Sequence, residues 1–169
     1  MKRRLSMNEF KKFLAVQLII SVFINLTLNA GIAILLFRGI NPVPLWGNPG
    51  IALDTLATAF LLPWLTVLIV APFARAEMRK GTIERFRKEL GRVRSSYLRY
   101  MPVGIVAQSM TIGIGITVIA APVLVGILYA VGVSEMSYHA FIAYKTVFAT
   151  ILTFPVSPIV WMSAMIKYV

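Results

Sequence analysis

The sequence is short of the residues on which most metal and redox chemistry depends. It contains no cysteine, one histidine and six carboxylates among 169 residues. Without cysteine the chain has no disulfide, no thiol nucleophile and no thiolate ligand for an iron–sulfur cluster. A single histidine cannot supply two axial haem ligands, and no His, Asp and Glu cluster has the spacing of a metal site. We therefore expect neither a metal nor a cofactor.

Catalytic motifs are missing as well. The sequence has no Gly-x-Ser-x-Gly nucleophile elbow and no glycine-rich phosphate loop. An enzyme acting on a lipid substrate inside the membrane would have only Asp54, His139 and Lys145 to supply acid, base or nucleophile. This pattern favours a role without catalysis but leaves open whether the chain is an enzyme.

Apolar residues, by contrast, are abundant. Hydrophobic residues make up 59% of the chain and charged residues 14%, and the mean hydropathy is +0.82. A water-soluble fold of this length could not bury so much apolar surface. Four apolar runs, at about 13–37, 51–73, 103–133 and 139–165, each exceed the roughly 20 residues that a helix needs to cross about 30 Å of hydrocarbon. We predict an all-α fold with a single domain, an integral membrane four-helix bundle of antiparallel neighbours.

The distribution of positive charge predicts the orientation of this bundle. Of the 17 Lys and Arg residues, 14 lie before the first run or between the second and third. The short segment between the first two runs carries only Arg38, and the one between the last two carries none. Because cytoplasmic loops are enriched in Lys and Arg, both termini are predicted in the cytoplasm and both short loops outside, in a plasma (bacterial inner) membrane. The same distribution explains the net charge of +11 without nucleic acid as a partner.

The polar segment between the second and third runs predicts a basic amphipathic helix over about 82–99. Its apolar residues recur at steps of three and four, at Ile83, Phe86, Leu90, Val93 and Tyr97. Basic residues occupy mostly other faces, at Arg85, Arg87, Lys88, Arg92 and Arg94. Such a helix can lie on anionic lipid headgroups, pack against a partner or a second copy, or form a solvated linker.

Six polar residues within the apolar runs form the candidate intramembrane site. They are Asn25, Asn29, Asp54, Thr58, His139 and Lys145, and all are predicted near the outer leaflet. A charge inside the membrane costs about 3 kcal/mol, so Asp54 and Lys145 are expected to pair. Simpler roles stay open, because Asp54 can complement a helix N-terminus and the Lys145 stem can reach the interface. The two asparagines can link helices by hydrogen bonds, and His139 can be an interfacial residue.

A weak internal repeat suggests that two helical hairpins are duplicates. Asp54 to Thr58 followed by Pro63 resembles residues 145–150 followed by Pro155, once a slip of one residue is allowed. Because two spans restore the original orientation, the hairpins would form a parallel repeat.

Two other patterns predict how the helices pack. The small residues Ala107, Thr111 and Gly115 lie on one face of the third helix and predict its close contact with a neighbour. An aromatic belt at the two interfaces is predicted from Trp46, Tyr129, Tyr138, Tyr144, Trp161 and Tyr168.

Three functional hypotheses follow. The leading one is a non-catalytic accessory or scaffold protein of the membrane, whose basic helix binds anionic lipid or a membrane-protein partner. The alternative is a small permease-like transporter, acting as a homo-oligomer, with Asn29, Asp54, Thr58 and Lys145 lining an outward-facing site. The third is the intramembrane enzyme described above.

Overall fold

Four long helices and one pair of very short strands make up the fold. The computed structural model describes residues 7–79, 102 and 104–166. In chain order the elements are α1 (Met7–Leu36), β1 (Val43–Pro44), α2 (Ile51–Arg79), α3 (Ile105–Ala130), β2 (Glu135–Met136) and α4 (Tyr138–Ile166). The predicted amphipathic helix at 82–99, with its five candidate basic contacts, lies outside the described residues.

Each of the four helices is long and apolar enough to cross a bilayer. The stretches that meet this condition are Lys11–Leu36, Ile51–Ala74, Ile105–Ala130 and Tyr138–Ser163. This confirms the predicted all-α fold with four spans, as in a multi-pass membrane protein. The third span is shorter than the predicted 103–133, because Gly132 takes a positive φ of 76° and turns the chain after Ala130. The predicted span included Val131 and Val133 because they are apolar, but both lie beyond the end of the helix.

The order of the helices across the bundle differs from their order in the chain. Helix α1 packs along α4, α4 packs along α2, and α2 packs along α3. In the described part of the chain, α2 and α3 are the only consecutive helices that share an extended interface, and α1 with α2 and α3 with α4 do not. Helices α2 and α4 both begin at the end where loops 37–50 and 131–137 lie, here called the short-loop end, so these two neighbours run parallel.

The prediction of antiparallel neighbours therefore holds for α1 with α4 and for α2 with α3 but is wrong for α2 with α4, and the lengths of the loops explain why. At about 3.3 Å per residue, even the loop 131–137 can extend roughly 20 Å. Packed helices lie only about 8–10 Å apart, so this loop is long enough to pass over an intervening helix.

Helix α1 is fixed to α4 along its whole length. The contacts are Phe37 with Phe141 (ring centroids 4.3 Å apart), a hydrogen bond of 3.1 Å from Ser157 Oγ to Ser21 Oγ, and Phe13 edge-on to Trp161 (5.5 Å). Trp161 is only 4% exposed, so its predicted role as an interfacial anchor is wrong. The exposed rings of Trp46 and Tyr129 do lie at the short-loop end.

The contact between α2 and α3 depends on Gly113. A Cβ atom at this position would lie 3.2 Å from the ring of Phe60 and 3.3 Å from its carbonyl oxygen, so any other residue here would require the helices to shift by a few tenths of an ångström. The predicted contact stripe of small residues (Ala107, Thr111 and Gly115) is exposed, and that prediction is wrong. The buried face is formed by residues one or two positions later in the sequence. Because successive residues are about 100° apart around a helix, such a shift is enough to move the contact to another face.

The bundle has an approximate two-fold symmetry along its axis. The buried positions of α2 recur in α4 ninety residues later, for example Ile51 with Phe141 and Ala59 with Ala149. The interface of α1 with α4 corresponds to that of α3 with α2. Strands β1 and β2, from the two short loops, pair antiparallel across the same axis. The arrangement supports a duplicated hairpin, but at an offset of 90 residues rather than the 91 by which the sequence aligned Asp54 with Lys145.

Candidate functional site

A groove of about 210 Å³ lies between α1 and α2, and we call it the α1–α2 groove. It exists because α1 packs on α4 and leaves a gap beside α2. Its polar lining comprises Ser21, Asn25, Asn29, Asp54, Thr58, Thr66 and Lys145, and the remaining lining is apolar. Polar and charged side chains are therefore exposed to a cavity at the depth of the predicted membrane spans.

Asp54 is positioned by the start of α2. The helix begins at Ile51, directly after Gly50, and the Asp54 N–H donates to the Gly50 carbonyl over 3.0 Å. A Cβ atom on Gly50 would lie only 2.8 Å from the Gly47 carbonyl oxygen, so glycine is required for this tight entry. The carboxylate thus lies in the first helical turn, where the helix dipole favours a negative charge.

Lys145 brings three helices together at the short-loop end. Its Nζ donates to Asp54 Oδ1, which confirms the expected pair between α4 and α2. The two side chains are only 3% and 9% exposed. The ring of Phe37, directly after α1, has its centroid 6.0 Å from the same nitrogen, a distance at which a cation and an aromatic face attract.

The second oxygen of this carboxylate has no such partner. Asp54 Oδ2 is buried and accepts no hydrogen bond from the described residues. A buried acceptor without a donor costs about 1–3 kcal/mol, and more when it is charged. Because Asp54 lines the groove, a small rotation of its buried carboxylate would bring this oxygen within reach of a donor or a cation in the groove.

Three other polar side chains of the groove form hydrogen bonds within the chain. Asn29 Nδ2 donates to the Asn25 carbonyl over 2.9 Å, and Thr66 Oγ1 donates to the Leu62 carbonyl over 2.6 Å. Ser21 accepts the hydrogen bond from α4 already described. Among the described side chains that line the groove, Asp54 has the buried polar atom without a hydrogen bond, Oδ2, and the Thr58 hydroxyl one turn along α2 lies close to the same carboxyl.

A second pair of polar side chains lies at the symmetry-related position. Tyr144 Oη and Thr55 Oγ1 are 2.8 Å apart, and Thr55 Oγ1 also donates to the Ile51 carbonyl, so the tyrosine is the donor between them. The offset of 90 residues maps Asp54 onto Tyr144 and Thr55 onto Lys145. One pair is charged and lines the groove, whereas its counterpart is neutral and does not. The site is therefore one-sided within a nearly symmetric bundle.

Five of the six candidate site residues line the groove: Asn25, Asn29, Asp54, Thr58 and Lys145. The sixth, His139, is exposed, and its ring lies edge-on to Tyr138 with centroids 5.5 Å apart. Sequence reasoning missed Phe37, which has no polar group to mark it. It also missed the contact of Tyr144 with Thr55. The only signal for this contact in the sequence was that Thr55, which carries a hydroxyl, directly follows Asp54.

Comparisons of the chain with protein-family models, with curated proteins and with solved structures find no match. Among the residues that the structure describes, no three His, Cys, Asp or Glu side chains lie close enough together to hold a metal ion. A ligand in the groove would meet a carboxylate with one unbonded oxygen, a neighbouring ammonium and apolar walls.

Proposed function

We propose that the chain is a small permease-like membrane protein that binds its substrate in the α1–α2 groove. The observation that carries this proposal is the buried ion pair of Asp54 and Lys145, with Asp54 Oδ2 unpartnered beside a cavity. Ionisable groups inside a membrane are expensive and usually mark substrate or ion pathways. Nothing in the packing alone requires a carboxylate whose second oxygen has no partner.

The ion pair also offers a means of coupling binding to movement. A substrate donor that binds Asp54 weakens its bond to Lys145, which joins α2 to α4 at the short-loop end. Both helices contain prolines further along, Pro63 in α2 and Pro155 in α4, each of which removes a backbone hydrogen bond. Substrate binding then favours a state in which the ends of these helices separate.

The duplicated hairpin is consistent with this function. Parallel repeats related by an axis along the membrane normal occur in transporter folds, whose sites lie where the repeats meet. Here the two central helices α2 and α4 belong to different hairpins, and the ion pair lies between them.

The proposal is tested by comparing the two symmetry-related pairs. Cells producing the protein are screened for altered tolerance of, or altered accumulation of, a panel of small solutes. Asp54→Asn and Lys145→Met are each expected to abolish the resulting phenotype even after it is normalised to the amount of protein in the membrane, which the lost ion pair is expected to lower. Tyr144→Phe, which removes the hydrogen bond outside the groove, is the matched control and should retain it. A phenotype that survives both groove variants would contradict the proposal.

The scaffold hypothesis depends on the basic helix predicted at 82–99, outside the described residues, and it stays a prediction. Flotation of the purified chain with anionic and with neutral vesicles tests its contact with lipid headgroups. Mass measurement in mild detergent distinguishes the homo-oligomer expected for a transporter from a complex with another membrane protein.

A further inference from the structure

We infer that the ligand of the α1–α2 groove is a lipid of the surrounding bilayer whose headgroup carries a primary ammonium, as in phosphatidylethanolamine. The ammonium donates to Asp54 Oδ2, and one acyl chain lies between α1 and α2. This inference rests on the proposed function, because it names the substrate class of the same groove.

The polar end of the groove selects the headgroup. Asp54 Oδ1 already accepts from Lys145, so the open acceptor is Oδ2, and it requires a donor. A primary ammonium supplies three N–H groups and a positive charge, and charge-assisted hydrogen bonds of this kind are roughly twice as strong as neutral ones. A quaternary ammonium has the charge but no N–H, and a headgroup with only negative charge would be repelled by the open oxygen.

The Asn29 side chain adds to this preference. It is 8% exposed and lines the same groove as Asp54, and one N–H of its amide donates to the Asn25 carbonyl. What remains of the amide is one N–H and its oxygen, which is a second acceptor. The two acceptors favour a ligand with several donors, such as an ammonium. The phosphate that accompanies this ammonium in a phospholipid matches the remaining N–H groups of Lys145.

The shape of the groove fits an acyl chain. Its α1 wall extends from Ser21 to Leu36, which is about 22 Å at 1.5 Å per residue. One leaflet of hydrocarbon is about 15 Å thick, half of the roughly 30 Å core. Asp54 lies in the first turn of α2, so the polar end of the groove is at its short-loop end. A lipid with its headgroup near the end of the span and its chain directed inward has the same arrangement.

The groove is also open to the side of the bundle. Leu36 on one wall is 65% exposed and Leu65 on the other is 43% exposed. Both walls are therefore accessible from the region where bilayer chains lie, so a lipid can enter sideways without crossing the short loops. This access favours a bilayer lipid over a water-soluble amine.

Native mass spectrometry of the full chain in a neutral maltoside detergent tests the inference. Three phospholipids with identical acyl chains are offered at equal concentration: phosphatidylethanolamine, phosphatidylcholine and phosphatidylglycerol. The first and second differ in the N–H donors, and the third replaces the ammonium by neutral hydroxyls. We expect phosphatidylethanolamine to be bound at least tenfold more than the other two, and Asp54→Asn to remove this preference. Tyr144→Phe should leave the preference intact.

A second pair of variants tests the acyl-chain contact without touching the ion pair. Leu65→Trp narrows the groove and is expected to lower lipid binding several-fold. Ile151→Trp, at an exposed position of α4 outside the groove, is the control for added bulk and should bind as the original chain does. Equal binding by these two variants would overturn the assignment of the chain to the groove.

The outcomes separate this inference from the function on which it rests. Equal binding of all three lipids, or preferred binding of phosphatidylglycerol that Lys145→Met abolishes, overturns the inference. If either result occurs while Asp54→Asn still abolishes the cellular phenotype, the groove is a substrate site for another class of molecule. If phosphatidylethanolamine is preferred and the phenotype is unaffected by Asp54→Asn, the inference holds as a lipid site and the transport function fails.

Discussion

Two contacts join α2 to α4 at symmetric positions, and they differ greatly in electrostatic character. Asp54 with Lys145 is a pair of full charges, whereas Thr55 with Tyr144 is a hydrogen bond between hydroxyls. Removing one member of a buried ion pair leaves the other charge without compensation, which typically costs 3–5 kcal/mol. Hydrogen bonds between helices in membranes contribute about 0.6 kcal/mol. The two positions should therefore respond differently to substitution.

Lys145→Met is expected to destabilise the purified protein by about 3 kcal/mol, and Tyr144→Phe by about 0.6 kcal/mol. Unfolding curves in a mixed denaturing detergent measure both changes. The double variant Asp54→Asn with Lys145→Met should recover part of the loss, since it leaves no unpaired charge. Equal effects of the two single variants would show that the ion pair contributes no more than the hydroxyl pair.

At the scale of single residues, much of the candidate site could be predicted from the sequence. Buried polar residues in apolar runs are rare and need partners, which was enough to select Asp54, Lys145 and the two asparagines. The contact of Phe37 with Lys145 could not be predicted, because it depends on α1 lying against α4. His139 resembles the other candidates in sequence but lies on the exposed side of its helix.

At the scale of whole elements, the sequence predicted the helices better than their arrangement. Their existence follows from apolar length, which is a local property, and three of the four spans began and ended near the predicted positions. Their order depends on which faces fit together, and exposure to lipid allows apolar residues on every face. The stripe at Ala107 illustrates the difficulty, because small residues occur on both the packed and the exposed face of α3.

The helix order can be checked by crosslinking, because the chain has no cysteine of its own. Ser21→Cys with Ser157→Cys is expected to form a disulfide on mild oxidation, since the two hydroxyls are 3.1 Å apart. A protease site placed between residues 80 and 101 divides the chain, and the disulfide then holds the two halves together on a gel. Ser21→Cys with Thr117→Cys joins α1 to α3, which share no extended interface, and should not crosslink. The reverse result would contradict the order α1, α4, α2, α3.

For the molecule as a whole, the central property is that the hairpins are interleaved. All three extended interfaces, α1 with α4, α4 with α2 and α2 with α3, join helices from different hairpins. The short loops are also joined to each other through β1 and β2. Within the described residues, neither hairpin therefore has an extended helix–helix interface of its own.

Production of the two hairpins as separate chains, divided between residues 80 and 101, tests this property. Each half alone is expected to be degraded or to aggregate, because its two helices do not pack on each other. Together the halves should co-purify through an affinity tag on one of them. Asp54→Asn in the first half should weaken this association, and a stable single hairpin would show that the observed interfaces are dispensable.

The sequence indicated the duplication but not the interleaving. The match of residues 54–58 with 145–150 was short and displaced by one residue from the structural equivalence. Similar residues can recur in the two hairpins without occupying equivalent positions in the bundle. The two-fold symmetry reflects how the helices pack, and a match of residue types does not determine it. The orientation in the membrane follows from the positions of Lys and Arg and stays a prediction of the sequence.

The separation of Asp54 and Lys145 by 91 residues has a consequence for biosynthesis. A ribosome inserting this chain delivers the carboxylate to the lipid well before the ammonium that will neutralise it has been synthesised. Until the fourth helix is synthesised, the first two lack the helix against which both of them pack. Any insertase or chaperone that attends this protein has to shield an unaccompanied aspartate during that interval.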